Sequence, residues 1–329
     1  MKYRRRNEEM VRLMRITEDA LPQRGAPVKV RTRPSLKTRI TDGELGGYVL
    51  LAPAVIILFL LTIWPLLYSI GISLTDFQLG QVGPLSFVGL ANFGALLGDS
   101  IFTGSLLTTG EMLIVAIPLQ LILGYVFARV LQGAHGLPGA RLLRTVYIIP
   151  TMMTGLAVAL FWSYILDPTI GVANSLLSPF NIQPTWFASP DMALFTLMGV
   201  YLWQWTPFTT ILLLSGLLSI PEQLYEAAAV DGAGWRQRVF NLDLPLLLRV
   251  GAIAAILAVV EVVRLFDLVY GSTNGGPGTA TLTNATEIYK IGFSNSNTSE
   301  AAAASLVILV VTIVIAQLFV RVLREEKGA

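Results

Sequence analysis

The stretch Ala301-Ala-Ala-Ala-Ser305-Leu-Val-Ile-Leu-Val-Val-Thr312-Ile-Val-Ile-Ala-Gln317-Leu-Phe-Val320 decides how the chain is read. Only Ser305, Thr312 and Gln317 interrupt it with polar groups, and no residue in it is charged. About 20 consecutive apolar residues in a helix match the thickness of the hydrocarbon layer of a membrane. Working outward, five further stretches have the same character, at approximately 48–70, 106–130, 145–166, 192–218 and 246–270. The 246–270 stretch is the least uniform, because Glu261, Arg264 and Asp267 fall in its second half. The reading is an all-α integral membrane protein with six transmembrane helices.

Composition agrees. The 329 residues are 54% hydrophobic and only 13% charged, about half the charge of an ordinary soluble domain. There is no cysteine and a single histidine, His135. Disulfides, thiolate catalysis and thiolate metal sites are thereby excluded, and no histidine cluster exists for a metal. No metal site is expected, and the charge-poor body does not suit nucleic acid.

Charge placement gives the orientation. Of 23 Lys and Arg, 12 lie within residues 1–48. Arg129, Arg141 and Arg144 follow the second span, Arg236, Arg238 and Arg249 surround the fifth span's start, and Arg321, Arg324 and Lys327 end the chain. The segments 71–105 and 167–191 have no Lys or Arg, and 271–300 has only Lys290. Positive residues stay on the cytoplasmic side. Both termini and the 219–249 segment are therefore expected inside, with the lipid surface a partner for the basic tail. The domain reading is a cytoplasmic extension over 1–47, a membrane domain over 48–323 and a cytoplasmic end over 324–329. The extension is either a disordered basic tail or carries a short surface helix around Met10–Ile16. Asn284 and Asn297 match the Asn-x-Ser/Thr pattern on the outer side.

Five prolines, Pro53, Pro65, Pro118, Pro150 and Pro207, fall within or at the ends of these spans. Each removes a backbone donor, which a membrane tolerates where neighbouring helices or a wet cavity satisfy the freed carbonyl. A bundle that rearranges and a static kinked bundle both fit, and proline alone does not separate them.

The segment between the fourth and fifth spans is more than a connector. It reads Pro221-Glu-Gln-Leu-Tyr-Glu226-Ala-Ala-Ala-Val-Asp231-Gly232-Ala-Gly-Trp-Arg-Gln-Arg-Val-Phe240-Asn-Leu-Asp-Leu244-Pro245. Pro221 can open a helix, and Glu222 and Glu226 suit its positive end. Ala227, Ala228 and Ala229 favour helix and leave a small surface, and Gly232 supplies the left-handed stop. A second short helix is expected from Trp235 that ends before Pro245. The outcome is a helix–turn–helix at about 221–246, on which another protein's backbone can approach closely. An amphipathic connector lying on lipid is the alternative.

The stretch Glu226-Ala-Ala-Ala-Val-Asp231-Gly232-Ala233…Phe240…Leu244-Pro245 closely resembles the EAA loop of permease subunits in binding-protein-dependent ABC importers. Phe266-Asp267-Leu-Val-Tyr270-Gly-Ser-Thr-Asn-Gly275-Gly276-Pro277-Gly278, with Glu287-Ile-Tyr289-Lys-Ile-Gly-Phe293, looks like the carbohydrate branch of maltose-type and glycerol-phosphate-type permeases. Ser86-Phe87-Val88-Gly89-Leu90-Ala91-Asn92-Phe93 and Trp205-Thr-Pro207-Phe208 match the same branch. The likeness covers roughly 48–323. Two features depart from it: Arg249 and Val250 stand where a proline is often found, and the basic extension is unusually long.

The resemblance implies a type I ABC importer permease fold in a bacterial or archaeal plasma membrane, with cytoplasmic coupling helices. It implies a second permease subunit, a pair of ATPase subunits and an external solute-binding protein as partners. Glu226, Ala227, Ala228, Asp231, Gly232 and Ala233, with Leu244 and Pro245, would then carry docking to the ATPase and couple it to alternating access. ATP and Mg would be used by that partner and no cofactor held by this chain. The five lysines agree, since none follows a glycine as a phosphate-binding Gly-Lys-Ser/Thr loop requires. The chain is read as a transport subunit and not as an enzyme.

Pathway candidates come from polar groups inside spans. Gln204 sits near mid-membrane between Trp203 and Trp205, with Pro207 freeing a carbonyl beside them. An amide and indole faces suit a sugar; a structural Gln bonded to a neighbouring helix is the plain alternative. Glu261, Arg264 and Asp267 are spaced to pair along one helix face, and ionisable groups in a membrane default to functional candidates; a structural ion triad is the alternative. A sugar or sugar-like solute is the leading substrate. A permease for a polyol, phosphodiester or peptide fits the same residues. An ion-coupled secondary transporter with the triad as relay is the reading from a different class.

Overall fold

A computed structural model describes residues 44–134, 136 and 138–325. The basic extension up to residue 43, His135 and residues 326–329 lie outside the described residues, and with them the Met10–Ile16 surface helix. By contacts the chain divides into two units, Met1–Trp64 and Pro65–Ala329.

In the first unit, α1 (Glu44–Leu58) runs into a single π turn, Phe59–Ile63. The large apolar side chains from Leu50 to Trp64 are exposed. Pro65 follows closely and has no N–H to return to the turn behind it. The π turn is where the ladder shifts register ahead of that missing donor: the Trp64 N–H reaches back to the Phe59 carbonyl.

Among the described residues of the second unit, the regular secondary structure is helical apart from one isolated bridge between Thr75 and Phe87. It contains α2 (Trp64–Ser73) from its second residue on, α3 (Ala91–Gly98), α4 (Ser100–Gly133), α5 (Ala140–Met152), α6 (Gly155–Ile165), α7 (Val172–Leu177) and α8 (Pro190–Leu218). After these come α9 (Glu222–Val230), α10 (Trp235–Arg238), α11 (Leu244–Val263), α12 (Asp267–Ser272), α13 (Asn284–Tyr289) and α14 (Thr298–Glu325). Five helical stretches are long and apolar enough to cross a membrane: Leu50–Ser73, Ser100–Gly133, Pro190–Leu218, Trp235–Val263 and Thr298–Leu318.

The third expected span, 145–166, is not one helix. It is α5 followed by α6, bent by 97° at Met153–Thr154. α6 has 11 residues, which reach about 17 Å at about 1.5 Å each, short of a hydrocarbon core of about 30 Å. Pro150 weakens the last turn of α5, and Met153 and Thr154 are both extended. The fifth span also differs from expectation. It starts earlier, at Trp235, and its helix stops at Val263 rather than 270.

α4 and α8 form the central pair, with α11 packed on both. Gly124 makes their approach close, because a Cβ there would lie 2.7 Å from Thr209 Cγ2. Gln120, buried on α4, donates from Nε2 to Thr209 Oγ1 at 2.7 Å and accepts from the Tyr201 hydroxyl at 3.0 Å. Around this seam Met112, Leu197, Tyr201, Val259 and Val262 fill the core. At the far end, α6 lies close on α12, where Gly155 faces Asp267 and Gly271 faces Leu156 and Ala159.

Gly124→Leu should force α4 from α8 and destabilise the chain by about 1–3 kcal/mol, as overpacking of a tight contact does. Thermal unfolding of the purified variant in detergent, compared with the parent chain, measures this.

Candidate functional site

The loop is built as a closed unit. α9 has Pro221 as its flanking residue and Glu222 in its first turn. It ends in a left-handed Gly232, φ +76°. The Ala233 N–H donates to the Ala228 carbonyl at 2.8 Å and the Gly232 N–H to Ala229 at 3.1 Å. This is the paired closure that satisfies the last carbonyls of a helix and that only a residue tolerant of positive φ permits. Gly234 N–H then donates to Gln237 Oε1 at 2.8 Å, and Arg238 Nε to the Ala233 carbonyl at 3.0 Å, fixing α10 against the turn.

The unit presents Glu226, Ala227, Asp231 and Gly232 at the surface, with Ala228 and Ala233 half-buried. Val230, Trp235 and Phe240 are exposed beside them, at 88%, 70% and 64%. Three large apolar side chains around an alanine face make a surface suited to contact with another protein. Leu244 and Pro245 are exposed as well but belong to α11.

One expectation is corrected here. The second helix of the loop does not end before Pro245. α10 passes through a π turn, Val239–Asp243, straight into α11. The Leu244 N–H returns to the Val239 carbonyl, so the ladder shifts ahead of Pro245 just as it does ahead of Pro65. The loop therefore connects to the fifth span without a flexible joint.

Sequence reasoning missed Asp243. This carboxylate closes the π turn and is completely buried. It accepts from the Tyr125 hydroxyl at 2.5 Å and from the Tyr225 hydroxyl at 2.7 Å, and Arg129 Nε lies 3.3 Å away. Arg129 also stands over the Tyr225 ring, 5.6 Å from its centre. A polar cavity of about 680 Å³, lined in part by Arg129, Gln132, Tyr225 and Arg238, opens alongside. Burial pushes the Tyr225 phenol up to about 12; the bond to Asp243 and its charge add to the rise, and Arg129 opposes it. The legible signals were a lone acid inside the apolar run 239–248 and a Tyr125/Arg129 pair one helical turn apart.

The expected pathway residues are distributed differently. Gln204 is buried, and its Nε2 donates to the Met153 carbonyl at 3.0 Å. In return Thr151 Oγ1 donates to the Gln204 carbonyl at 3.0 Å. The amide thus holds the break between α5 and α6. Trp203 is 37% exposed and stacks on Phe161, with Trp162 edge-on. Trp205 is half-buried against Phe208.

Glu261, Arg264 and Asp267 do not share a helix. α11 ends before Arg264, and Asp267 starts α12. The change of direction puts Asp267 against Gly155, and no ion pair joins the three among the described residues. The break is closed by Thr283 Oγ1, which donates to the Leu265 carbonyl at 2.9 Å, and by Asn284 Nδ2, which donates to Val263 at 3.2 Å. Asn284 is buried in that role, so its Asn-x-Thr match is not a surface acceptor. Arg264 is exposed and lines a groove with Asn284, Ser305 and Thr312.

The helical spans, the broken segments and the surface loop define a multi-pass membrane transport subunit. The family model described as "Binding-protein-dependent transport system inner membrane component" matches residues 120–325, and the chain belongs to that family. It is a transport subunit, and the ATPase of such systems is a separate chain. Among curated relatives it is 33% identical to the trehalose/maltose transport system permease protein MalF of Thermococcus litoralis, over 82% of this chain and 90% of that one. It is 30% identical to the sulfoquinovosyl glycerol transport system permease protein SmoG of Agrobacterium fabrum, over 86% and 92%. It is 31% identical to the sn-glycerol-3-phosphate transport system permease protein UgpA of Yersinia pestis, over 81% and 90%. The fold matches a chain of a bacterial ABC transporter involved in import of the acidic polysaccharide alginate, with a TM-score of 0.75 at 21% identity, over 89% of this chain and 99% of that one.

Asp243→Ala should cost about 3–5 kcal/mol, because Arg129 and two phenols lose one shared buried acceptor; chemical or thermal unfolding in detergent reads it. The Tyr225 phenol has a folded value above its ordinary one near 10. Its contribution is therefore full below about pH 10 and lost as pH rises through about 12. Comparing the parent with Tyr225→Phe across that window should show a steeper fall in the parent than in the variant, which keeps the other tyrosines. Gln204→Leu removes the donor from the Met153 carbonyl and should cost about 1–3 kcal/mol, read the same way.

Proposed function

We propose that this chain is half of the translocation pathway of an ATP-driven importer for a sugar or sugar-like solute. It works with a second permease subunit, a pair of ATPase subunits and an external solute-binding protein. The observation that carries the reading is the α9–α10 unit: a closed helix–turn–helix with an exposed alanine face, ringed by Val230, Trp235 and Phe240. Such a rigid apolar knob fits a cleft on a partner. The charge asymmetry around the spans supports a cytoplasmic position for it and for both termini, on the side where the partner ATPase would bind ATP and Mg. This chain holds no cofactor.

Support for the solute class comes from the relatives, whose names specify trehalose/maltose, sulfoquinovosyl glycerol and sn-glycerol 3-phosphate. A solved neighbour carries a periplasmic protein bound to an alginate pentasaccharide; at 20% identity it speaks for the fold. On this chain, Trp203 with its stacked Phe161 offers an aromatic face, and Arg264 offers an exposed cation in the groove with Ser305 and Thr312. Trp203, Trp205, Glu261, Arg264 and Asp267 are the pathway residues of this reading. Gln204 shapes the pathway from behind, through the bend it holds.

In action, the loaded binding protein docks outside and the ATPase pair closes on ATP. The α9–α10 unit follows the ATPase, and the continuous α10–α11 helix carries that displacement into the membrane. The cavity then opens to the loaded protein and resets after hydrolysis.

Uptake into reconstituted vesicles tests the assignment. Transport should require ATP inside, the ATPase pair and the binding protein. Uptake that persists without those subunits, driven by an ion gradient alone, would sink it. Glu226→Lys reverses a surface charge on the docking face. Gly232→Pro removes the N–H that closes α9 and cannot adopt φ +76°. Both should sever ATP hydrolysis from uptake while the chain still inserts, and normal coupling in both would refute docking at this loop.

A further inference from the structure

We propose that Asp243 is the clasp through which the loop moves the central pair of helices, so that α9 and α4 travel as one body during the transport cycle. The inference rests on the docking role proposed above and adds the residue that transmits it.

The argument starts from how little else holds α9. Its side chains at Glu222, Gln223, Leu224, Glu226, Ala227, Ala229 and Val230 are exposed, and only Tyr225 and Ala228 are partly covered. Among the described residues, the side-chain hydrogen bond that leaves α9 is the one from Tyr225 to Asp243. The carboxylate has two oxygens. Oδ1 accepts from the Tyr225 hydroxyl on α9, and Oδ2 accepts from the Tyr125 hydroxyl on α4 with Arg129 beside it. Both phenols thus converge on one buried group from two different elements. Asp243 itself stands in the π turn between α10 and α11.

The geometry makes the joint behave as all-or-none. A charged group with no exposure is stable only while its partners stay in place, since an unpaired buried carboxylate is strongly unfavourable. A push on α9 therefore either carries α4 and the root of α11 along or opens the clasp at high cost. The Arg129 guanidinium over the Tyr225 ring ties the same two helices a second way. Arg129 is in turn held by Gln132, whose Oε1 accepts from it at 2.6 Å. Further along α4, Gln120 and Gly124 join it to α8. A displacement received at Tyr225 thereby reaches the seam next to which Trp205 and Gln204 lie.

The absence of native cysteine makes a spin-label test direct. Gln223→Cys on α9, away from the alanine face, and Val130→Cys on α4, both exposed positions, would carry nitroxides in the complete complex in lipid nanodiscs. Their separation is measured by pulsed electron resonance without nucleotide and after trapping with Mg-ATP and vanadate. The expected result is one narrow distance, the same in both states. Tyr225→Phe, which keeps the ring and loses only the hydroxyl, should leave the complex assembled and turn the trapped-state distance broad or shifted. Tyr125→Phe should do the same from the α4 side. A parent distance that shifts on trapping overturns the proposal, and so do two phenylalanine variants that behave as the parent. If the ATPase pair does not copurify with the parent chain, the docking reading falls and the clasp's role in transport falls with it. Copurification with an independently moving α9 removes the clasp alone.

Discussion

Inside hydrocarbon every backbone N–H and C=O must find its partner within the protein, and this constraint governs the structure wherever a span is not a plain helix. Two spans break. At Met153 the freed carbonyl is met by Gln204, and Thr151 answers to the Gln204 carbonyl. At Leu265 and Val263 the freed carbonyls are met by Thr283 and Asn284. Gln204, Thr283 and Asn284, buried polar side chains of the membrane core, are thus the other halves of broken helices. Gln204, which in the linear sequence reads as a candidate solute ligand, has its amide engaged in holding the bend between α5 and α6.

The same constraint explains the two π turns. Pro65 and Pro245 cannot donate, and in each case the ladder widens by one residue just before the ring. At Pro245 the proposed coupling depends on the consequence. The widened turn keeps α10 and α11 in one continuous helix and sets Asp243 at its end. A flexible link there would absorb movement of the loop, whereas a continuous helix with a buried clasp transmits it. In the proposed mechanism the central pair α4 and α8 receives that movement, because Gly124 lets the two helices touch and Gln120 bridges them.

Legibility in the sequence followed the range of the interaction. The loop was readable because its signals are local: acids at a helix start, an alanine run and a glycine at the stop. Gly232 closes α9 as those residues dictate. Charge asymmetry around the spans was also local and countable. The triad at Glu261, Arg264 and Asp267 misled, because spacing along a helix has meaning only if the helix continues, and this one ends before Arg264. Asp243 escaped notice for the opposite reason. Its partners are more than 100 positions away on α4 and 18 away on α9, and its place in the apolar run 239–248 is a local sign that does not say which groups meet it.

The sequence by itself determined that the chain is helical, membrane-embedded and equipped with a closed surface loop, since hydrophobic length, propensity and capping act within a few residues. Only the tertiary structure decided where the spans bend, which amides serve the backbone, and that a single carboxylate joins the loop to the core. Those outcomes depend on which helices lie side by side, and a buried polar group takes its role from the neighbour that satisfies it.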